Sequence, residues 1–185
     1  MKEKTTVTSF HRLLHPYNTA LITCCDAEGQ PNIITIAWLI PVSVNPPLVA
    51  MSIGPARYSY GLIQALGEFV INIAPYEIAQ QVLFCGRHSG REVDKFAETK
   101  LTPGEAQQVQ PPIIEECIAH IECRVVQDIQ AGDHNIVVAE VLAAYTYPGV
   151  LENNSIYNLD QVHLLLHLGS NNFTSTLRKS EKVSL

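Results

Sequence analysis

Charge is scarce in this chain of 185 residues: 16% are Asp, Glu, Lys or Arg, against 46% hydrophobic. A disordered chain or a long solvated helix needs far more charge than that, so the composition calls for a packed core. Basic residues are scarcer still. Twelve Lys and Arg against 18 Asp and Glu leave a net charge of -6, with no basic run, which argues against nucleic acid and anionic membrane as partners. Long apolar runs are missing too: Leu48 to Ile53 and Ile136 to Leu142 fall far short of the about 20 residues a membrane helix needs. The start, Met1-Lys2-Glu3-Lys4-Thr5-Thr6, has no apolar signal core, and a cytoplasmic protein is expected. Five cysteines, Cys24, Cys25, Cys85, Cys117 and Cys123, contain no C-x-x-C pair, so neither a disulfide framework nor a zinc ribbon is indicated and core thiols are expected. A dinucleotide fingerprint, a P-loop, a nucleophile elbow and a zincin motif are all lacking.

What is present reads mostly as strands. Residues 17 to 26 and 32 to 39 form β-prone runs around the turn Asp26-Ala27-Glu28-Gly29-Gln30-Pro31, a hairpin signature. Cys24 and Cys25 would then point to opposite faces. Pro41 and Pro46-Pro47 break the chain before a third strand, Leu48 to Ile53, which stops at Gly54-Pro55. Tyr58, Leu62, Ile63 and Leu66 recur at helical spacing, with Gly67 as C-cap. Glu68 to Ala74 is strand-like, and from Pro75 a second helix places Ile78, Val82 and Leu83 on one face. Cys85 to Arg91 reads as a polar loop, Glu92 to Thr99 as a short helix, and Leu101 to Pro112 as an exposed connection. Long strands follow at Cys117 to Ile129, with His120, Glu122 and Arg124 on one face, and at Asn135 to Tyr147, with a short one at His163 to Leu168. Sequential antiparallel strands with a helical insertion predict one domain of mainly β class, a closed or partly closed barrel with helices against it, spanning 1–185 with tails at 1–15 and 174–185.

Two H-x-x-x-H spacings, His11 with His15 and His163 with His167, lack the third ligand of a zinc site, and half-buried, hydrogen-bonded imidazoles are expected. Small polar and cationic residues gather at element ends: Ser52 and Gly54 close a strand, Arg57 and Ser59 open a helix, and Ser89, Gly90, Arg91 and Lys95 surround another helix start. In an acidic chain such local cationic placement suits a phosphate-bearing ligand, although caps and solvated charges use the same residues.

The succession of Pro16 to Thr23, Asn32 to Trp38, Met51-Ser52-Ile53-Gly54-Pro55-Ala56-Arg57-Tyr58-Ser59, Phe69 to Ala74, Ser89 to Phe96, Gly132-Asp133-His134 and His167-Leu168-Gly169 resembles the flavin reductase-like, FMN-binding split-barrel family that includes flavoredoxin. The resemblance runs from about Pro16 to Phe173. It implies a Greek-key split barrel and a homodimer with FMN near the subunit contact. It places Thr35, Ile36, Ala37 and Trp38 along the isoalloxazine or ribityl chain, and Ser52, Ile53, Gly54, Arg57, Tyr58 and Ser59 around the phosphate. Ser89, Gly90, Lys95 and Phe96 would close over the cofactor, and His167 would stand near the ring as the catalytic candidate. After His167-Leu168-Gly169 the chain reads Ser170-Asn171-Asn172-Phe173, where the family often has glycine or a basic residue. No metal is implied. The activity implied is electron transfer from NADH, NADPH or a protein donor to free flavin, a small acceptor or a redox protein. The flavin would carry the chemistry while the protein orients it and stabilises the charge that reduction creates. A non-catalytic FMN-binding or electron-carrier module would use the same pocket; a heme-binding barrel finds no axial-ligand spacing.

Overall fold

The computed structural model describes residues 3–177 and 180. The outer ends of both expected tails therefore lie outside the described residues. A 3-10 helix at Val7–Leu14 precedes β1 (Tyr17–Asn18), β2 (Ala20–Cys25), β3 (Pro31–Ile36), β4 (Leu39–Ser43) and β5 (Leu48–Ile53). Helix α1 (Tyr58–Leu66), β6 (Glu68–Ile73), a 3-10 turn at Tyr76–Ile78, α2 (Ala79–Arg87) and α3 (Lys95–Thr99) form the middle of the chain. The rest comprises β7 (Pro103–Gly104), β8 (Ile113–Ile114), β9 (Ala119–Ala131), β10 (His134–Thr146), β11 (Leu151–Glu152), β12 (Ile156–Tyr157), β13 (Leu165–Gly169) and β14 (Asn172–Ser175).

Seven strands pair antiparallel in the order β3-β2-β6-β9-β10-β5-β4. The two edge strands, β3 and β4, are consecutive in the chain and separated only by Ala37 and Trp38. So short a link spans about 10 Å at most from Ile36 to Leu39, and the sheet must curl until its edges meet. A hydrogen bond from Ser52 N to the Trp38 carbonyl at 2.9 Å ties the junction to β5. The result is the expected mainly β split barrel. Its interior holds Ile22, Met51, Ile53, Phe69, Ile71 and Val137, all 1% exposed or less.

A second apolar cluster explains why β2 and β3 are buried on both faces. Leu21 and Ile33 alternate with the barrel residues and pack outward against Val82 and Cys85 of α2 and Phe96 of α3. Each fully buried aliphatic side chain of this kind contributes about 1.5 to 3 kcal/mol. Cys24 and Cys25 do face opposite ways, and both are buried. Gly67 caps α1 in the left-handed conformation at φ 76°, where its N–H reaches the Ile63 carbonyl.

Several boundaries differ from the sequence reading. Cys85, Gly86 and Arg87 belong to α2 rather than to a loop, because Cys85 sits three residues after Val82 on the face that meets Leu21 and Ile33. Helix α3 begins only at Lys95, where the Asp94 carboxylate accepts from Ala97 N. Strand β4 continues through Pro41 because it is a sheet edge, where a missing N–H costs no ladder bond. His163 lies ahead of β13 and bonds Glu77 at 2.9 Å, so it does not share a strand face with His167.

The polar face of β9 is buried rather than solvated in its first half. Glu122 is 0% exposed and accepts from Gln107 N at 2.8 Å, Gln108 N at 2.6 Å and the Tyr145 hydroxyl at 2.7 Å. The connection at 105–112 thus supplies the donors that a buried carboxylate requires. Next to it, Asn72 Oδ1 accepts from Ile114 N at 3.0 Å and from His120 Nδ1 at 2.9 Å. The other ring nitrogen of His120 is buried without a partner. A proton there would be stranded, and burial pushes the imidazole pKa below its usual value, against the opposing pull of Glu115 and Glu122. A folded-state pKa below the unfolded one makes the stabilisation full above about pH 6.5 and lost as pH falls through the folded value. Urea midpoints measured from pH 8 to 5 are expected to drop below about pH 6.5, and His120→Gln should remove that part of the drop.

Candidate functional site

The barrel junction opens into a cleft of about 300 Å³ walled by residues 34–38 on one side and Ser52, Ile53 and Gly54 on the other. All of those positions except Ile34 were expected from sequence, and the structure brings them together. Arg57 reaches this cleft and also an adjoining one of about 350 Å³, where Tyr58, Ser59, Ser89, Gly90 and Lys95 meet beside Arg91. Gly86 of α2 lies at the seam of the two.

The first cleft is cationic. Arg12, Arg57, His11, His15, His134 and His167 line it, with no described carboxylate among the lining residues, in a chain of net charge -6. Hydrogen bonds fix three of the four imidazoles. His15 Nδ1 donates to Arg12 O at 3.0 Å and His167 Nε2 to Ser170 O at 3.1 Å, because a carbonyl only accepts. His134 Nδ1 donates to Asp133 Oδ1 at 2.9 Å, and that bond holds the Asp133 carboxyl below the usual carboxylate range. The Trp38 ring stands between His134, 5.2 Å away, and His11, 5.9 Å away. Thr35 is oriented by donating its hydroxyl to the Val82 carbonyl at 2.6 Å.

The second cleft is a polar cradle. Arg57 precedes α1, Ser59 lies in its first turn and accepts from Asn32 Nδ2 at 2.7 Å, and Arg91 stacks on Tyr58 at 5.1 Å. Glu92 is the one acidic residue of its wall. Gly90 must be glycine: a Cβ there would fall 2.0 Å from Asn32 Oδ1 and 3.1 Å from the Tyr58 ring.

Lys95 departs from a surface cation. It is 4% exposed, and its ammonium donates to Ile33 O at 2.6 Å and Cys85 O at 2.7 Å, bridging β3 to the end of α2. Burial lowers its pKa, with neighbouring Cys85 and Cys24 pulling back and Arg57 adding to the fall. Two of its three N–H groups are thus committed to positioning the backbone beside the cradle. Phe96 turns away from both clefts into the outer core, which corrects its expected place over the ligand: as the residue after Lys95 on a helix, it points about 100° further round.

Sequence reasoning missed His11, Arg12, His15, His134 and Gly86. The 11/15 spacing and the Gly132-Asp133-His134 turn were visible signals, but only the closure of the barrel shows that they converge. Gly86 carried no signal.

Residues 10–169 match the family model described as flavin reductase like domain. The chain belongs to the flavin reductase-like family. This family member is 38% identical over 129 residues to an uncharacterized protein of Archaeoglobus fulgidus, covering 70% of this chain and 72% of that one. It is 30% identical over 127 residues to a flavin reductase of Pseudomonas putida, covering 69% and 71%. Its fold matches flavoredoxin of Desulfovibrio vulgaris with a TM-score of 0.86 at 24% identity, over 98% and 97% of the two chains. A Thermus thermophilus FMN-binding protein superposes with a TM-score of 0.85, also at 24% identity, over 99% and 98%.

The cysteines near the clefts are unsuited to thiol chemistry. Burial pushes Cys24 up to about 12, against hydrogen bonds from Asn32 and Ser59, and pushes Cys85 up to about 11. The folded protein is expected to show no fast-reacting thiol toward an aromatic disulfide reagent at pH 8, with all five reacting after denaturation. A stoichiometric fast phase assigned to Cys24 or Cys25 would show an accessible, ionisable thiol and overturn this expectation.

Proposed function

We propose that this member of the flavin reductase-like family binds FMN across the two clefts and is an oxidoreductase. It would take electrons from NADH, NADPH or a protein donor and pass them to flavin or another acceptor. The observation that carries the reading is the pairing of a carboxylate-free cleft at the barrel junction with the Arg57, Ser59 and Arg91 cradle next to it. One suits a flat ring system whose charge becomes negative on reduction, and the other a phosphate. The name of the Pseudomonas putida relative supports the same reading.

The residues fit FMN. Arg57 and Ser59 at the start of α1 would hold the phosphate, with Ser89 and Gly90 closing the cradle and Lys95 fixing β3 against α2 behind it. The Thr35 to Trp38 segment, whose backbone is only partly committed at the end of β3, would present donors and acceptors along the ring edge. Ser52, Ile53 and Gly54 would form the opposite wall. The bound flavin supplies the electron-transfer chemistry. The guanidinium of Arg12 would favour the reduced, anionic form, and Trp38 would limit water access.

The same reading includes a homodimer of one-domain subunits. Phe10, Leu13 and Leu14 of the N-terminal 3-10 helix lie 59 to 72% exposed, and Trp38, Ile40, Val42 and Val44 add apolar surface along β4. Light scattering at micromolar concentration should give twice the chain mass.

Arg57→Ala is expected to weaken FMN binding about tenfold or more, since a charge-assisted contact contributes about 1.5 to 3 kcal/mol and about 1.4 kcal/mol is a factor of ten. Riboflavin binding should not change. Equal affinity of the wild-type protein for FMN and riboflavin, read by fluorescence quenching, would remove the phosphate assignment. Anaerobic addition of NADH or NADPH should bleach the flavin spectrum at a catalytic rate; a yellow protein inert to both is an electron carrier or binding module instead.

A further inference from the structure

Beside the two clefts, a third cavity of about 340 Å³ lies between the C-terminal end of α2 and the turn that joins β13 to β14. It shares Thr35, Ala37, Gly86, His167 and Ser170 with the cleft at the barrel junction, so a molecule within it would lie against whatever fills that cleft. Val82, Leu83 and Phe173 supply apolar walls, and the Phe173 ring stands 5.2 Å from His167. One cation, Arg87, lines it, and no described Asp or Glu does.

Arg87 ends α2, and its Nη2 donates to Asn171 Oδ1 at 2.5 Å and to Ser170 O at 3.3 Å. Both acceptors are neutral, and no described carboxylate makes an ion pair with it. A guanidinium has five N–H donors, so three donors and the whole charge of this exposed side chain have no protein partner and face the cavity rim and solvent. His167 Nε2 donates to the same Ser170 carbonyl, so the turn is clamped from two sides and the charge is held in place.

We propose that this third cavity binds a small aromatic monocarboxylate, its ring between Leu83 and Phe173 and its carboxylate on Arg87. The assignment builds on the FMN reading by naming the ligand class admitted beside the cofactor. A cavity of about 340 Å³ sits at the small end of ligand pockets, roughly 300 to 1,000 Å³, and suits a single ring rather than a dinucleotide. A lone guanidinium balances one negative charge and pairs bidentately with a carboxylate, whereas a phosphate dianion would keep a charge without a counterpart.

The test uses benzoate, benzamide and phenyl phosphate as probes, titrated into the full-length protein with and without FMN and followed by amide NMR shifts. Benzoate should move the amides of Leu83, Ser170 and Phe173. Arg87→Gln should weaken benzoate about tenfold or more and leave benzamide unchanged, with Arg87→Lys recovering part of the loss. Because Arg87 also borders the cradle of Arg57 and Ser59, FMN affinity is measured in both variants alongside benzoate. The proposal is overturned if benzoate ignores Arg87→Gln, if benzamide or phenyl phosphate binds the wild type as tightly, or if Arg87→Gln loses FMN while keeping benzoate. Should FMN fail to bind even the wild-type protein, the cofactor reading falls, whereas the NMR titrations without FMN still decide the cavity.

Discussion

Two residues between the edges of a seven-stranded sheet govern the rest of this molecule. Because only Ala37 and Trp38 separate β3 from β4, the sheet cannot lie open: its first and last strands must be brought together where the chain passes between them. The junction cannot be filled by a regular ladder, since the backbone is changing strands there. A cleft results, bordered by residues 34–38 and by the end of β5, which the Ser52 to Trp38 hydrogen bond holds alongside. The end of β5 also leads within four residues to α1, so the first turn of that helix is delivered to the same mouth.

Charge is distributed against the average of the chain. An acidic protein has collected two arginines and four histidines around one opening, while its buried acidic group, Glu122, sits on the barrel wall and is neutralised by backbone N–H groups and a tyrosine hydroxyl rather than by a cation. The buried Lys95 is handled in the mirror fashion: two carbonyls hold its ammonium. Both devices pin irregular segments onto the barrel, the 105–112 connection in one case and the end of α2 in the other. Isolated buried charges are costly unless hydrogen-bonded, and here that requirement fixes loops that have little apolar surface of their own.

The α2 and α3 segment gives the barrel an outer layer and the clefts their far wall. Val82 and Cys85 cover Leu21 and Ile33, and that packing carries Gly86 and Arg87 to the rim at the next positions of the helix. Cys85 and Cys117 belong to this packing, whereas Cys24 and Cys123 lie in the barrel interior. Burial disfavours the thiolates of Cys24 and Cys85, and the polar groups that line the clefts include imidazoles and guanidinium groups.

The hairpin of β2 and β3, α1 with its Gly67 cap, and the long β9 and β10 pair were legible in sequence because each is specified by local periodicity and turn residues. So were Ser52, Gly54, Arg57 and Ser59 as a set, since they stand at element ends that the sequence itself marks. The extent of α2, the continuation of β4 past Pro41 and the burial of Lys95, His120 and Glu122 were not, because each depends on what an element packs against. A strand that alternates polar and apolar residues reads as half-solvated until a distant connection covers its polar face. By itself the sequence determined the strand-rich class and the cationic helix start. Only the tertiary structure decided that His11, Arg12, His15 and His134 surround one opening and that Arg87 stands at the adjoining cavities, because barrel closure and helix docking unite segments as much as a hundred residues apart or more, and no local pattern encodes that distance.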